Sequence, residues 1–132
     1  MSWTAQKITA VLVVTAVEPS LVFWEQRLGF TRVAEVPHGD ALGFAMLVKD
    51  GTEVMLQSEA SVRDDMGTAA PPVLSGTSTA LFFEVSDLDA VEKALDGYPI
   101  ALPRRTTFYG MHEFGVREPG GHFVVFAQRS AD

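Results

Sequence analysis

A chain of 132 residues with no cysteine fits one ordinary domain, large enough to bury roughly 68% of its unfolded surface, and it has no disulfides or thiolate metal sites. With 10 basic against 17 acidic residues the net charge is −7, a surface that repels phosphate backbones, which excludes nucleic acid and anionic membranes as partners and tolerates a cationic ligand. No apolar run approaches the roughly 18 residues of a spanning helix, and the N-terminal MSWTAQK is too short and polar for a targeting segment, so a cytoplasmic location is expected.

In chain order, the β-branched run ITAVLVVTA (Ile8 to Ala16) predicts a buried strand. PSLVFWEQRLG then predicts a helix. Pro19 suits its first turn, Val17, Leu21, Trp24 and Leu28 form its apolar stripe, and Gly29 ends it. Strands are expected at 30–36, 41–49 and 53–58, the last two joined by the hairpin turn Asp50-Gly51. The polar stretch 59–76 reads as a linker. After it the pattern restarts: a strand in STALFFEV, a helix in SDLDAVEKALDG with Ser86 or Asp87 as cap and Gly97 as stop, and strands in PIALPRRTTF, GMHEFGVRE and HFVVFAQ.

The two halves repeat. Val14 and Val85, Val17 and Leu88, and Trp24 and Leu95 each lie 71 positions apart, while Phe44 and Phe114, and Met55 and Val125, lie 70 apart. A nearly constant shift of half the chain predicts two copies of one βαβββ unit. The fold class expected is therefore α+β, one domain over 1–132 with module one at about 6–58, a linker at about 59–76 and module two at about 77–128.

SLVFWEQRLGF and EFGVREPGGHFVVF resemble the paired signatures of the vicinal oxygen chelate superfamily, which includes glyoxalases, extradiol dioxygenases, and fosfomycin- and bleomycin-resistance proteins. Glu118 stands where that family usually has Asp, which keeps the charge. The resemblance implies curved mixed sheets with outer helices, a cleft on the inner faces, and a homodimer that completes the clefts across chains. In its metal-dependent members, a carboxylate or His comes from the first and last strand of each module. Those places fall here on Thr9, Met55, Ala80 and Val125, none of which is a useful ligand for a divalent metal. No metal and no cofactor are therefore expected.

Strand parity sorts the remaining residues. Leu12, Val14, Val54, Leu56, Leu81, Phe83, Val85, Val124 and Phe126 suit the side under the helices, and the alternate positions suit the cleft. If Glu118 pairs with Gly121 across the last hairpin, Phe114 faces Val125 and His112 faces Ala127. The Asp50-Gly51 turn likewise sets Phe44 opposite Gln57 and Met46 opposite Met55. The expected ligand-binding set is then Phe44, Met46, Met55, Phe82, Glu84, His112, Phe114 and Val125, with Val116 and Phe123 also in the cleft. His122 is expected in a solvated turn.

With no cysteine nucleophile, no G-x-S-x-G elbow and no P-loop, no catalytic residue is assigned. The function expected is metal-independent binding and sequestration of a hydrophobic or aromatic small molecule, of the antibiotic-resistance type. The alternative is a glyoxalase/dioxygenase-like lyase or oxidoreductase acting on a small metabolite, through His112 with a glutamate or through a metal held by other residues.

Overall fold

The computed structural model describes residues 2–70 and 79–130. Two four-stranded sheets are built the same way. The first has strand order β1-β4-β3-β2, from β1 (Ala10–Val14), β2 (Thr31–His38), β3 (Ala41–Lys49) and β4 (Thr52–Ser58). The second has order β5-β8-β7-β6, from β5 (Ala80–Glu84), β6 (Leu102–Thr106), β7 (Met111–Arg117) and β8 (Phe123–Arg129). In each, neighbouring strands are antiparallel except in the β1–β4 and β5–β8 pairs, which are parallel and need a crossover connection that includes a helix. Those helices are α1 (Val17–Leu21), continued by π-helical turns over Val22–Arg27, and a second helix over Leu88–Ala94.

The π turns have a packing reason. Leu28 N–H donates to Phe23 C=O five residues back, a wider ring than the α-helical one. The consecutive residues Phe23 and Trp24 are thereby both buried, at 1% and 0% exposure. Gly29, at φ +79°, then ends the helix in the left-handed region.

The polar stretch 59–76 is not the plain linker expected from composition. Glu59–Met66 forms α2, so that the Leu88–Ala94 helix is α3, and a 3₁₀ turn follows at Gly67–Ala69. Ser58 Oγ accepts from Ser61 N–H as the N-cap of α2, and Val62 is buried beneath it. Val62 is the single buried residue of the eight, which leaves no visible apolar stripe, and this is why polarity masked the helix. The rest of that stretch, 71–76, lies outside the described residues. The other helix cap came out as one of the two expected, since Asp87 accepts from Ala90 N–H.

One core serves both modules. Leu12, Val14, Trp24, Leu47 and Leu56 of the first half join Leu88, Leu95, Phe114, Val124 and Phe126 of the second in a continuous cluster. Trp24 contacts Phe83 at 5.9 Å between centroids, and Phe23 contacts Tyr98 at 5.2 Å. Two polar contacts lock the seam: Ser20 Oγ–H donates to the Glu118 carboxylate at 2.8 Å, and His122 Nε2–H donates to Val13 C=O at 3.0 Å. His122 is therefore a bridge between modules rather than a solvated turn residue. A donor to a carbonyl must carry its proton on Nε2, which fixes the tautomer.

At the mouth of β2, Arg32 grips Glu25 through two bonds of 2.8 Å, and this charge-assisted pair holds the Glu25 carboxyl below the usual range. A carboxyl lowered in the folded state adds stability above its unfolded pKa and loses it as pH falls through the folded value. Thermal melts from pH 7 to pH 3 should therefore show a smaller acid loss for Glu25→Gln than for wild type. The difference at neutral pH should be up to about 1 kcal/mol, because both side chains are partly solvated. Parallel acid profiles would assign the acid loss to other carboxylates.

Candidate functional site

The first hairpin has the expected register. Lys49 pairs with Thr52 around the two-residue turn Asp50-Gly51, at φ +49° and +82°, so Met46 faces Met55 and Phe44 faces Gln57. Val36 pairs with Phe44, and Val11 with Met55. The face away from α1 thus carries an apolar array of Val11, Val36, Phe44, Met46 and Met55. Val11 and Val36 are 46% and 55% exposed, and the other three are half-buried.

The last hairpin differs from expectation. Glu118 N–H donates to His122 C=O at 2.9 Å and Gly121 N–H donates to Glu118 C=O at 2.8 Å, so the tight pair is Glu118 with His122 rather than Gly121. Gly121 takes φ +95°, which supplies the left-handed residue of a three-residue turn. An odd loop shifts the ladder by one residue and turns β7 over. Phe114 therefore pairs with Phe126, and His112 with Gln128.

This corrects three placements. Phe114 and Val116 are fully buried on the helix side, where the Phe114 ring meets Phe126 at 5.6 Å. His112 also leaves the cleft face and is held by the Thr106 and Ser130 hydroxyls at 2.9 and 3.1 Å. His112 is thereby not available to the catalytic alternative as a partner for a glutamate in the cleft. Phe44 and Phe114 are not structural equivalents, because Phe44 matches Glu113, the residue that pairs with Ala127.

The second sheet keeps Phe82, Glu84, Phe123 and Val125 on the face away from α3, with Phe82 opposite Val125. The turned strand adds Glu113 and Gly115, which sequence parity had put on the other side. Phe123 lies across Gly115 so closely that a Cβ there would sit 2.9 Å from its Cε1. Glu113, 3% exposed, receives Arg105 Nε and Nη2 at 2.9 and 2.8 Å, a neutralised polar handle in an apolar setting. The P-G-G after the strand end permits the odd loop that brings Glu113 to this face, but permits the even one equally. Phe44, Met46 and Met55 are thus gathered on one sheet and Phe82, Glu84 and Val125 on the other.

A metal does not fit the places where the resemblance would put one. Met55 offers a thioether, Ala80 and Val125 offer only hydrocarbon, and Thr9 offers a neutral hydroxyl. Among the described residues, no three His, Asp or Glu side chains converge as a ligand set. Among them also, no helix is long and apolar enough to cross a membrane.

A family model for the Glyoxalase/Bleomycin resistance protein/Dioxygenase superfamily matches residues 7–126. Among solved structures, a glyoxalase/bleomycin resistance protein/dioxygenase from Nocardioides superposes with a TM-score of 0.78 at 19% identity, covering 99% of this chain and 87% of that one. TnmS3, an antibiotic binding protein from Streptomyces sp. CB03234, gives 0.64 at 20% identity, with 97% and 100% covered. A lactoylglutathione lyase from Agrobacterium tumefaciens gives 0.72 at 14% identity, with 95% and 94% covered. No curated protein matches the chain. At these identities the structural likenesses carry the fold alone.

Proposed function

Because the chain belongs to the glyoxalase/bleomycin resistance protein/dioxygenase superfamily, we propose that it binds and sequesters a hydrophobic or aromatic small molecule without a metal, on the faces that carry Met55 and Val125. The observation that supports this reading is the pair of apolar sheet faces left open to solvent, where Val11, Val36 and Phe82 are 46%, 55% and 50% exposed. Exposed apolar surface gathered on one face marks a site of ligand or subunit contact. A homodimer that brings the first sheet of one protomer against the second sheet of its partner would enclose both. The antibiotic-binding relative agrees with such a role, and the polar handles Glu84 and Arg105–Glu113 would orient the ligand.

Light scattering should give twice the 14.3 kDa chain mass at micromolar concentration. In a thermal-shift screen of antibiotics and planar metabolites, a hit should raise the melting temperature by mass action, and chelator should leave both the melt and the hit unchanged. Stoichiometric metal in protein never exposed to a metal column would overturn the metal-free reading, and a monomer would remove the enclosed site.

A further inference from the structure

We propose a second binding site, for a hydrophobic organic cation, in the seam between the β3–β4 turn and α3, on the helix side of the second sheet. A cavity of about 420 Å³ opens there. That volume lies within the ~300–1,000 Å³ of small-molecule sites. Its walls include Phe30, Phe83 and Phe126, with Phe83 stacked on Phe126 at 5.7 Å and edge-on to Phe30 at 6.2 Å. Phe126 and Val125 are neighbours on β8, so this cavity and the Met55/Val125 faces lie on opposite sides of the sheet.

The repeat explains why the cavity exists. At the matching place in the other half, three residues, Pro119 to Gly121, link the pair Glu118 and His122, and this longer turn settles onto α1. Glu118 is buried against Ser20, and Gly120 lies so close to Val14 that a Cβ would come within 2.3 Å of its Cγ1. The β3–β4 turn has only Asp50 and Gly51 between Lys49 and Thr52. It stops short of α3, where Val91 stands 71 positions after Ser20 and offers no hydroxyl. The seam that one module fills with its own chain is left open by the other.

Charge selects the occupant. Asp50 and Asp87 line the cavity against one cation, Lys49, which lies 3.4 Å from Asp50. An ammonium group at these carboxylates would place an attached aromatic or alicyclic body on the phenylalanine wall, where the ring faces also favour a cation. A carboxylate of the same shape would meet like charge.

The test uses phenethylammonium and its carboxylate counterpart, 3-phenylpropionate, as probes. Trp24 packs on Phe30 and Phe83 at 5.2 and 5.9 Å, so its fluorescence reports on the wall once the other tryptophan, exposed Trp3, is replaced in a Trp3→Phe background. The ammonium probe should give a saturable change at least roughly tenfold tighter than the carboxylate, a preference that the Asp50→Asn/Asp87→Asn double variant removes. Ala90→Leu, at an exposed helical position lining the cavity, should fill it and weaken the ammonium probe roughly tenfold or more without lowering the melting temperature. If that variant melts early, Val91→Phe serves as a second filler. Phe82→Ala, on the other side of the sheet, should leave the probe unaffected. Equal affinity of the two probes, no binding of either at millimolar concentration, undiminished binding in a folded filled variant, or loss on Phe82→Ala would each overturn the proposal.

Discussion

Phe114→Ala is expected to destabilise the protein by about 3–5 kcal/mol while leaving the ligand affinity of the folded fraction nearly unchanged. Its ring is fully buried on the helix side, and contacts Phe126 at 5.6 Å within a core that spans both modules. Removing it leaves a cavity that neither sheet can close, because each is pinned to the other by Ser20–Glu118 and His122–Val13. Phe82→Ala should do the reverse. That ring is 50% exposed, so its loss costs little stability, but any hit from the thermal-shift screen should bind roughly tenfold more weakly, the order of one lost aromatic stack with its apolar contact. Calorimetric titration of both variants, on protein shown to be folded, separates the two roles. Weakened binding in Phe114→Ala would return β7 to the other face and undo the three-residue turn on which the assignment rests.

Gly120→Ala is the second large expected effect. A Cβ at this position would meet Val14 Cγ1 at 2.3 Å and Glu118 Oε1 at 2.5 Å. Val14 is fully buried in the core and cannot retreat, and moving the carboxylate breaks its bond to Ser20. A loss of about 3 kcal/mol is expected, at the upper end of overpacking costs. Gly121 provides the comparison, since its Cβ would meet nothing within 4 Å and its φ of +95° alone opposes a side chain. Gly121→Ala should therefore cost about 1–2 kcal/mol, through backbone strain only. Denaturant melts that rank Gly121→Ala as the worse of the two would show that the turn is held by its backbone and not by contact with β1.

Elements whose signals are local were legible in the chain itself. The β-branched run of β1, the apolar stripe and terminal Gly29 of the first helix, the Asp87 cap and the Asp50-Gly51 turn each depend on residues a few positions apart, and the doubled pattern at 70 to 71 positions carried the two-module fold. Helix α2 was hidden because a short helix anchored by a single buried Val62 has no periodicity to read. The site was only half legible. Phe44, Met46 and Met55 followed from a two-residue turn whose register admits one solution. The sequence Glu-Pro-Gly-Gly-His instead admits an even or an odd loop, and strand parity propagates that single choice to every side chain of β7. The tertiary structure made the choice. Burying Glu118 against Ser20 and His122 against Val13 requires the three-residue turn, and the same step places Phe114 in the core, holds His112 away from the cleft and brings Glu113 to Arg105. Those partners lie 98 and 109 positions away along the chain, and no local pattern encodes contacts at that separation.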